Sequence, residues 1–107
     1  MWWLPKFKYV NLTGTGADIV AAVSGKKIRV LSMFVDELDG TADVILTVKT
    51  SSSGATKALI SGFDLGEKTL PFSRVGWFET VAGESLYGFL AGATPNLNIS
   101  VVYVEVT

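Results

Sequence analysis

Hydrophobic and polar residues alternate along most of this chain with a period of two, the spacing that puts one side of an extended strand in a core and the other in water. The clearest run is Ala42–Thr50, ADVILTVKT. Val44, Leu46 and Val48 point one way; Asp43, Thr47 and Lys49 point the other, with Ile45 the exception. Two other runs are apolar on both sides. In Lys27–Val35, Ile28, Val30 and Phe34 alternate with Leu31, Met33 and Val35; in Asn98–Val106, Ile99, Val101 and Tyr103 alternate with Val102, Val104 and Val106. Such strands are expected at the centre of a sheet that is covered on two sides. Gly76–Leu90 reads as a hairpin turning at Ala82-Gly83, with Trp77 and Phe78, and then Phe89 and Leu90, directed to opposite faces. One face belongs to the domain's core. The other needs a loop, an arm or another subunit.

Between these runs lie turn signals rich in Gly, Ser, Thr and Pro: Asn11–Gly16, Ser24–Lys26, Asp36–Gly40, Ser51–Thr56 and Ala91–Asn96. Asp18–Val23 fits a short strand or a single helical turn. Lys57–Leu65 and Lys68–Ser73 fit two short strands joined at Gly66-Glu67, and Pro71 makes the second an edge or a bulge. About eight short strands with no long helix predict an all-β, single-domain antiparallel sandwich or barrel. Met1–Val10 stands apart as an aromatic arm carrying Trp2, Trp3, Leu4, Phe7 and Tyr9, with Lys6 and Lys8 alternating between the last two. It is either a first strand on the domain's own core or an arm reaching onto a neighbour, where Trp and Tyr are favoured anchors. Residues 11–107 then form the sandwich.

Composition adds an expectation of assembly. The 107 residues are 49% hydrophobic and 18% charged, with mean hydropathy +0.41, below the usual quarter or so of charged residues. A domain this small exposes roughly 5,800 Å² when folded, so so apolar a chain is expected to bury part of that surface between subunits. A net charge of −1 is not the balance of a nucleic-acid binder. No apolar run has the length of a membrane span, and Met1–Val10 lacks the order of charge and apolar residues found in a signal peptide. No nucleic-acid or membrane partner is expected.

The chemistry is sparse. With no histidine and no cysteine, the Ser-His-Asp and Cys-His nucleophiles and the usual zinc ligands are absent. The acidic loop Asp36–Gly40, DELDG, lacks the spacing of a calcium loop and reads as a solvated turn. Gly14-Thr15-Gly16 is too short for a phosphate loop. Glu79 and Glu84 could approach one another, the minimum for glycosidase chemistry, yet nothing else in the sequence marks a cleft. The expectation is a protein that is not an enzyme and holds no cofactor or metal.

Four blocks, GKKIRVLSMFV at Gly25–Val35, LPFSRVGWFETVAGESL at Leu70–Leu86, YGFLAGAT at Tyr87–Thr94 and VVYVEV at Val101–Val106, together resemble small virion proteins of tailed bacteriophages, in particular jelly-roll capsid decoration (cement) proteins. The aromatic arm and the DELDG loop lie outside the resemblance, and it carries no residue motif for shell contact. It implies a jelly-roll sandwich that forms a homotrimer on the outer capsid surface of the virion and clamps the major capsid protein. On that reading Trp2, Trp3, Lys6 and Phe7 are candidates for capsid contact, and Leu31, Met33, Val102 and Val104 for the trimer interface. The alternative is a receptor- or carbohydrate-binding module of a phage tail or fibre, with Trp77, Tyr87 and Trp2 stacking on sugars.

Overall fold

The computed structural model describes residues 4–38, 43–63 and 67–107. Their strands are β1 (Lys6–Thr13), β2 (Gly16–Val20), β3 (Lys27–Glu37), β4 (Ile45–Thr50), β5 (Thr56–Ile60), β6 (Glu67–Leu70), β7 (Phe78–Glu79), β8 (Leu86–Ala91) and β9 (Asn96–Val106). They form two antiparallel sheets, one ordered β1-β9-β3-β6 with β7 also on β3, the other β2-β8-β4-β5. There is no α-helix among the described residues. The pairings nest: β1 with β9, β2 with β8, β3 with β6 and β7, β4 with β5. One long hairpin has thus been wound so that its pairs alternate between two facing sheets, the jelly-roll arrangement. β6 lies beside Met33–Asp36 and β7 beside Arg29–Val30, so nine strands fill eight lanes.

The alternation in β4 holds as read: Val44, Leu46 and Val48 are fully buried and Ile45 faces out. They meet Ile28, Val30, Met33, Val35, Leu97, Ile99 and Val101 of the opposite sheet, with Phe63 closing one side. The sheets approach closely at Gly88. A Cβ there would sit 2.7 Å from Leu12 Cδ1 and 3.2 Å from both Ile19 Cδ1 and Leu46 Cδ1, so the missing side chain makes room for three aliphatic tips. The folded surface is 5654 Å², close to the scaling value for a chain of this mass. The residues of this core are buried within one chain.

Three local readings change. The Gly76–Leu90 segment is not a hairpin: β7 belongs to the first sheet and β8 to the second, and the turn at Val81–Glu84 crosses between them. The turn expected at Asn11–Gly16 is shorter, because Asn11–Thr13 continue β1 opposite Asn98, Leu97 and Asn96. Asp36 and Glu37 likewise extend β3 and do not open a loop; the rest of that loop, from Asp39, lies outside the described residues.

A bulge decides which way β3 faces. Val30 pairs with Tyr103 and Ser32 with Val102, leaving Leu31 as the extra residue. Ile28 and Val30 point into the main core before it; Met33 and Val35 do so after it, and Phe34 turns outward. Strict alternation placed Phe34 with Ile28 and Val30; the inserted residue reverses that phase.

The end of the sandwich near the β2–β3 turn is stitched by polar groups. Thr50 Oγ1 donates to Glu84 Oε1 at 2.7 Å and accepts from the Val81 amide at 2.9 Å. Thr80 Oγ1 accepts from the Ile28 amide at 2.9 Å, and Ser85 Oγ donates to Asp18 Oδ1 at 2.7 Å. Thr50, Thr80 and Ser85 are all buried, and no buried side-chain polar atom among the described residues lacks a partner.

Candidate interaction surfaces

Because β1 runs antiparallel to β9 and β9 to β3, paired residues share a face. On the outer face of the first sheet this lines up three zones. At one end Lys27 and Arg29 share Glu79, with Nζ–Oε2 at 3.4 Å and Nε–Oε1 at 2.9 Å. Hydrogen bonding from Arg29 holds the Glu79 carboxyl below its usual range, against a smaller opposing effect of burial. In the middle, Phe7, Phe34, Thr69, Pro71 and Phe72 surround a groove of about 280 Å³ floored by Ser32, Ser100 and Val102. Phe7 is 67% exposed and Phe72 60%, unusual for phenylalanine on a solvated sheet. At the far end Asp36 and Glu67 stand directly opposite one another on β3 and β6, beside a neutral patch in which Tyr9 Oη donates to Asn98 Oδ1 and Asn11 Nδ2 donates to Asn96 Oδ1 and Asn98 Oδ1.

The second sheet's outer face is also apolar in part. Ile45, Leu59 and Phe89 are exposed there, Thr47 pairing with both Leu59 and Phe89. Lys49 Nζ stands 5.9 Å from the centre of the Phe89 ring. A cleft of about 360 Å³ opens between the sheets where β5 and β6 do not pair, lined by Met33, Val35, Ile60 and Leu70 with Lys68 at its side.

The sheet edges are less inviting. β1 carries Lys6 and Lys8 on its inner side, paired with Tyr103 and Val101; β6 carries Lys68; β5 carries Lys57; β2 carries Asp18 next to a register shift. Charges and bulges on edge strands are the devices that discourage strand addition. Contact with a partner is therefore better served by the faces.

The residues singled out in the sequence fall as follows. Trp2 and Trp3 lie outside the described residues. Lys6–Val10 are the first half of β1, so here the chain runs as a strand on its own sheet. Lys6 pairs with Glu105 at 3.1 Å and Phe7 lies over the groove, on the same face as Val102. Leu31 and Val104 sit on that face too, but in a satellite cluster with Val106 that is already buried within the chain. Met33 is 1% exposed and belongs to the main core, because the bulge at Leu31 turns it inward. Of the four residues expected at a subunit contact, Val102 alone is left half-exposed. Phe34 and Phe72 were not singled out; only the bulge and the path of the chain after Pro71 bring them to the groove.

Glu79 and Glu84 do not combine, since Glu79 serves Arg29 and Lys27 while Glu84 serves Thr50. Trp77 donates from Nε1 to the Pro71 carbonyl beside the first sheet, whereas Tyr87 is on β8 in the second, so the two form no common platform. Among the described residues no three acidic side chains converge as metal ligands would. No protein-family model matches this chain, and no curated protein matches it.

Proposed function

We propose that the chain is a structural virion protein of a tailed bacteriophage, a capsid decoration protein that assembles as a homotrimer on the outer shell, binds the major capsid protein and stabilises it. The observation that carries this reading is the presence of two separate apolar outer faces on a domain whose core residues are already buried within one chain. One centres on Phe7, Phe34 and Phe72, the other on Ile45, Leu59 and Phe89. Exposed apolar patches on a small domain mark contact surfaces, and a shell-bound oligomer needs two kinds of contact, one with its own copies and one with the shell. The jelly-roll fold supports the reading only as analogy, since the same fold serves many functions. The resemblance of the four sequence blocks supplies the virion. Several weak shell contacts presented together by one oligomer would bind through high effective concentration.

The test is co-sedimentation of the purified protein with undecorated capsids of the phage that encodes it, followed by heat challenge of the shells. The expected result is saturable binding and a higher disruption temperature. Shells that leave the protein in the supernatant at micromolar concentration would refute the proposal.

A further inference from the structure

The two sheets do not meet along β5 and β6, and the cleft of about 360 Å³ that opens there is lined by side chains that point inward. Paired residues share a face. Leu70 stands opposite Met33 and Lys68 opposite Val35, so both lie on the inner side of the first sheet; Ile60 stands opposite Leu46, on the inner side of the second. Met33, Val35 and Leu46 are buried core residues. Ile60 and Leu70 pack against that core and stay half-exposed, which leaves an aliphatic wall on each side of the cleft.

Lys68 is the charged exception on this inward surface. It is half-buried, and its ammonium reaches across to the chain that follows β5: a Cβ on Gly62 would stand 3.3 Å from Lys68 Nζ. The ion pairs among the described residues, Lys6–Glu105, Lys27–Glu79 and Arg29–Glu79, leave Lys68 without a carboxylate, and no acidic residue lines the cleft. A cation set against apolar walls is ordinarily matched by an anion, because such surroundings solvate it poorly. An inward lysine on an edge strand also deters strand addition, but that task needs no cleft beside it.

We propose that the cleft between β5 and β6 binds a small aliphatic monocarboxylate, its carboxylate on Lys68 Nζ and its tail between Ile60 and Leu70 above Met33 and Val35. One ammonium matches one negative charge, and the walls are aliphatic. Lys68 and Leu70 are about 7 Å apart along the strand, and the cleft is at the small end of ligand pockets, which run from roughly 300 to 1,000 Å³. The fit is therefore to a short tail such as that of octanoate. This goes beyond the virion reading and uses neither outer face, so it stands or falls without capsid binding.

The experiment is an NMR titration of the isotope-labelled protein with octanoate. The expected result is saturable binding, with shifts centred on the amides of residues 58–62 and 68–70 and on the Met33 methyl. Acetate has the charge without the tail, and octylammonium the tail with the opposite charge; each should bind at least about 10-fold more weakly. Lys68→Gln should weaken octanoate binding by about 10-fold or more, the worth of a hydrogen bond between charged groups. Lys68→Glu should reverse the preference toward octylammonium. The side chain is half-exposed, so both variants should keep the wild-type circular dichroism. No saturation by about 10 mM octanoate would overturn the proposal. So would a Lys68→Gln protein that binds octanoate as the wild type does, because the lysine would then serve only to guard the edge. Shifts centred on Phe7, Phe34 and Phe72 would overturn it too, since they would mark adsorption to the exposed face.

Discussion

Thr50 ends β4 where the β4–β5 loop meets the β7–β8 turn, and replacing it by valine separates hydrogen bonding from apolar burial. The side chain is 1% exposed, and its hydroxyl both donates to Glu84 Oε1 at 2.7 Å and accepts from the Val81 amide at 2.9 Å. Valine has nearly the same shape. It would add a methyl in place of the hydroxyl, a gain of at most about 0.8 kcal/mol on apolar transfer. Against that, a hydrogen bond to a carboxylate is worth about 1.5–3 kcal/mol, and the part-buried Val81 amide left without its acceptor costs toward the low end of about 1–3 kcal/mol. The two losses share one turn and are not fully additive, so the net expectation is a destabilisation of about 2–3 kcal/mol. For a domain of this length that is a fall in melting temperature of about 10 °C. The assay is urea unfolding followed by tryptophan fluorescence, with Thr50→Ser as the companion. Serine keeps the hydroxyl and loses only a methyl, about 1 kcal/mol. The expected order of stability is wild type, then serine, then valine. In a Glu84→Ala background the valine substitution should cost less, since one of its two partners is already gone. A valine variant as stable as the wild type would refute the reasoning, and would mean that water reaches the Val81 amide and the Glu84 carboxylate as easily as the hydroxyl does.

Three further expectations concern other parts of the molecule. The depressed Glu79 carboxyl contributes stability that is present above its unfolded value of about 4.3 and lost as pH falls through the lower folded value; the fluorescence of the neighbouring Trp77 should report loosening of β7 in acid, and Glu79→Gln should remove that pH dependence. Gly16→Ala should prevent or severely impair folding, because its φ of +108° is closed to L side chains and a Cβ would sit 1.9 Å from the Gly88 carbonyl oxygen; Gly14→Ala, at φ +65° with nothing within 4 Å, should cost only about 1 kcal/mol. Equilibrium unfolding distinguishes the two. Met33→Ala should lower unfolding free energy by about 2–4 kcal/mol through cavity formation without altering the solution mass, since Met33 lies between the sheets.

Much of the sandwich can be read from the chain because alternation is a local property. Val44, Leu46 and Val48, or Ile99, Val101 and Tyr103, announce a buried face without reference to anything distant. What alternation cannot reveal is an inserted residue. Leu31 is as apolar as its neighbours, so nothing in KIRVLSMFV marks it as the bulge, and the faces of Met33 and Phe34 were reversed as a result. Pairing partners are equally hidden. Ala82-Gly83 carries the composition of a hairpin turn, yet the strands on either side join different sheets, because β3 and β4 compete for them. The groove depends on both kinds of non-local information. Phe7 was legible as an exposed aromatic, while Phe34 needed the bulge and Phe72 needed the route from β6 to β7.

The nested pairing of the strands also governs how the protein can be made. β9 is the last of the described strands in sequence, yet it lies between β1, the first of them, and β3. On a ribosome, β1 and β3 emerge long before the strand that joins them, and the first sheet cannot close until Asn96–Val106 have been released. Until then the apolar inner sides of both strands face solvent or a chaperone, the circumstance in which slow, long-range β topologies are most exposed to aggregation. The charged edges that discourage strand addition in the finished domain would then have an earlier task, keeping neighbouring nascent chains apart while each waits for Asn96–Val106.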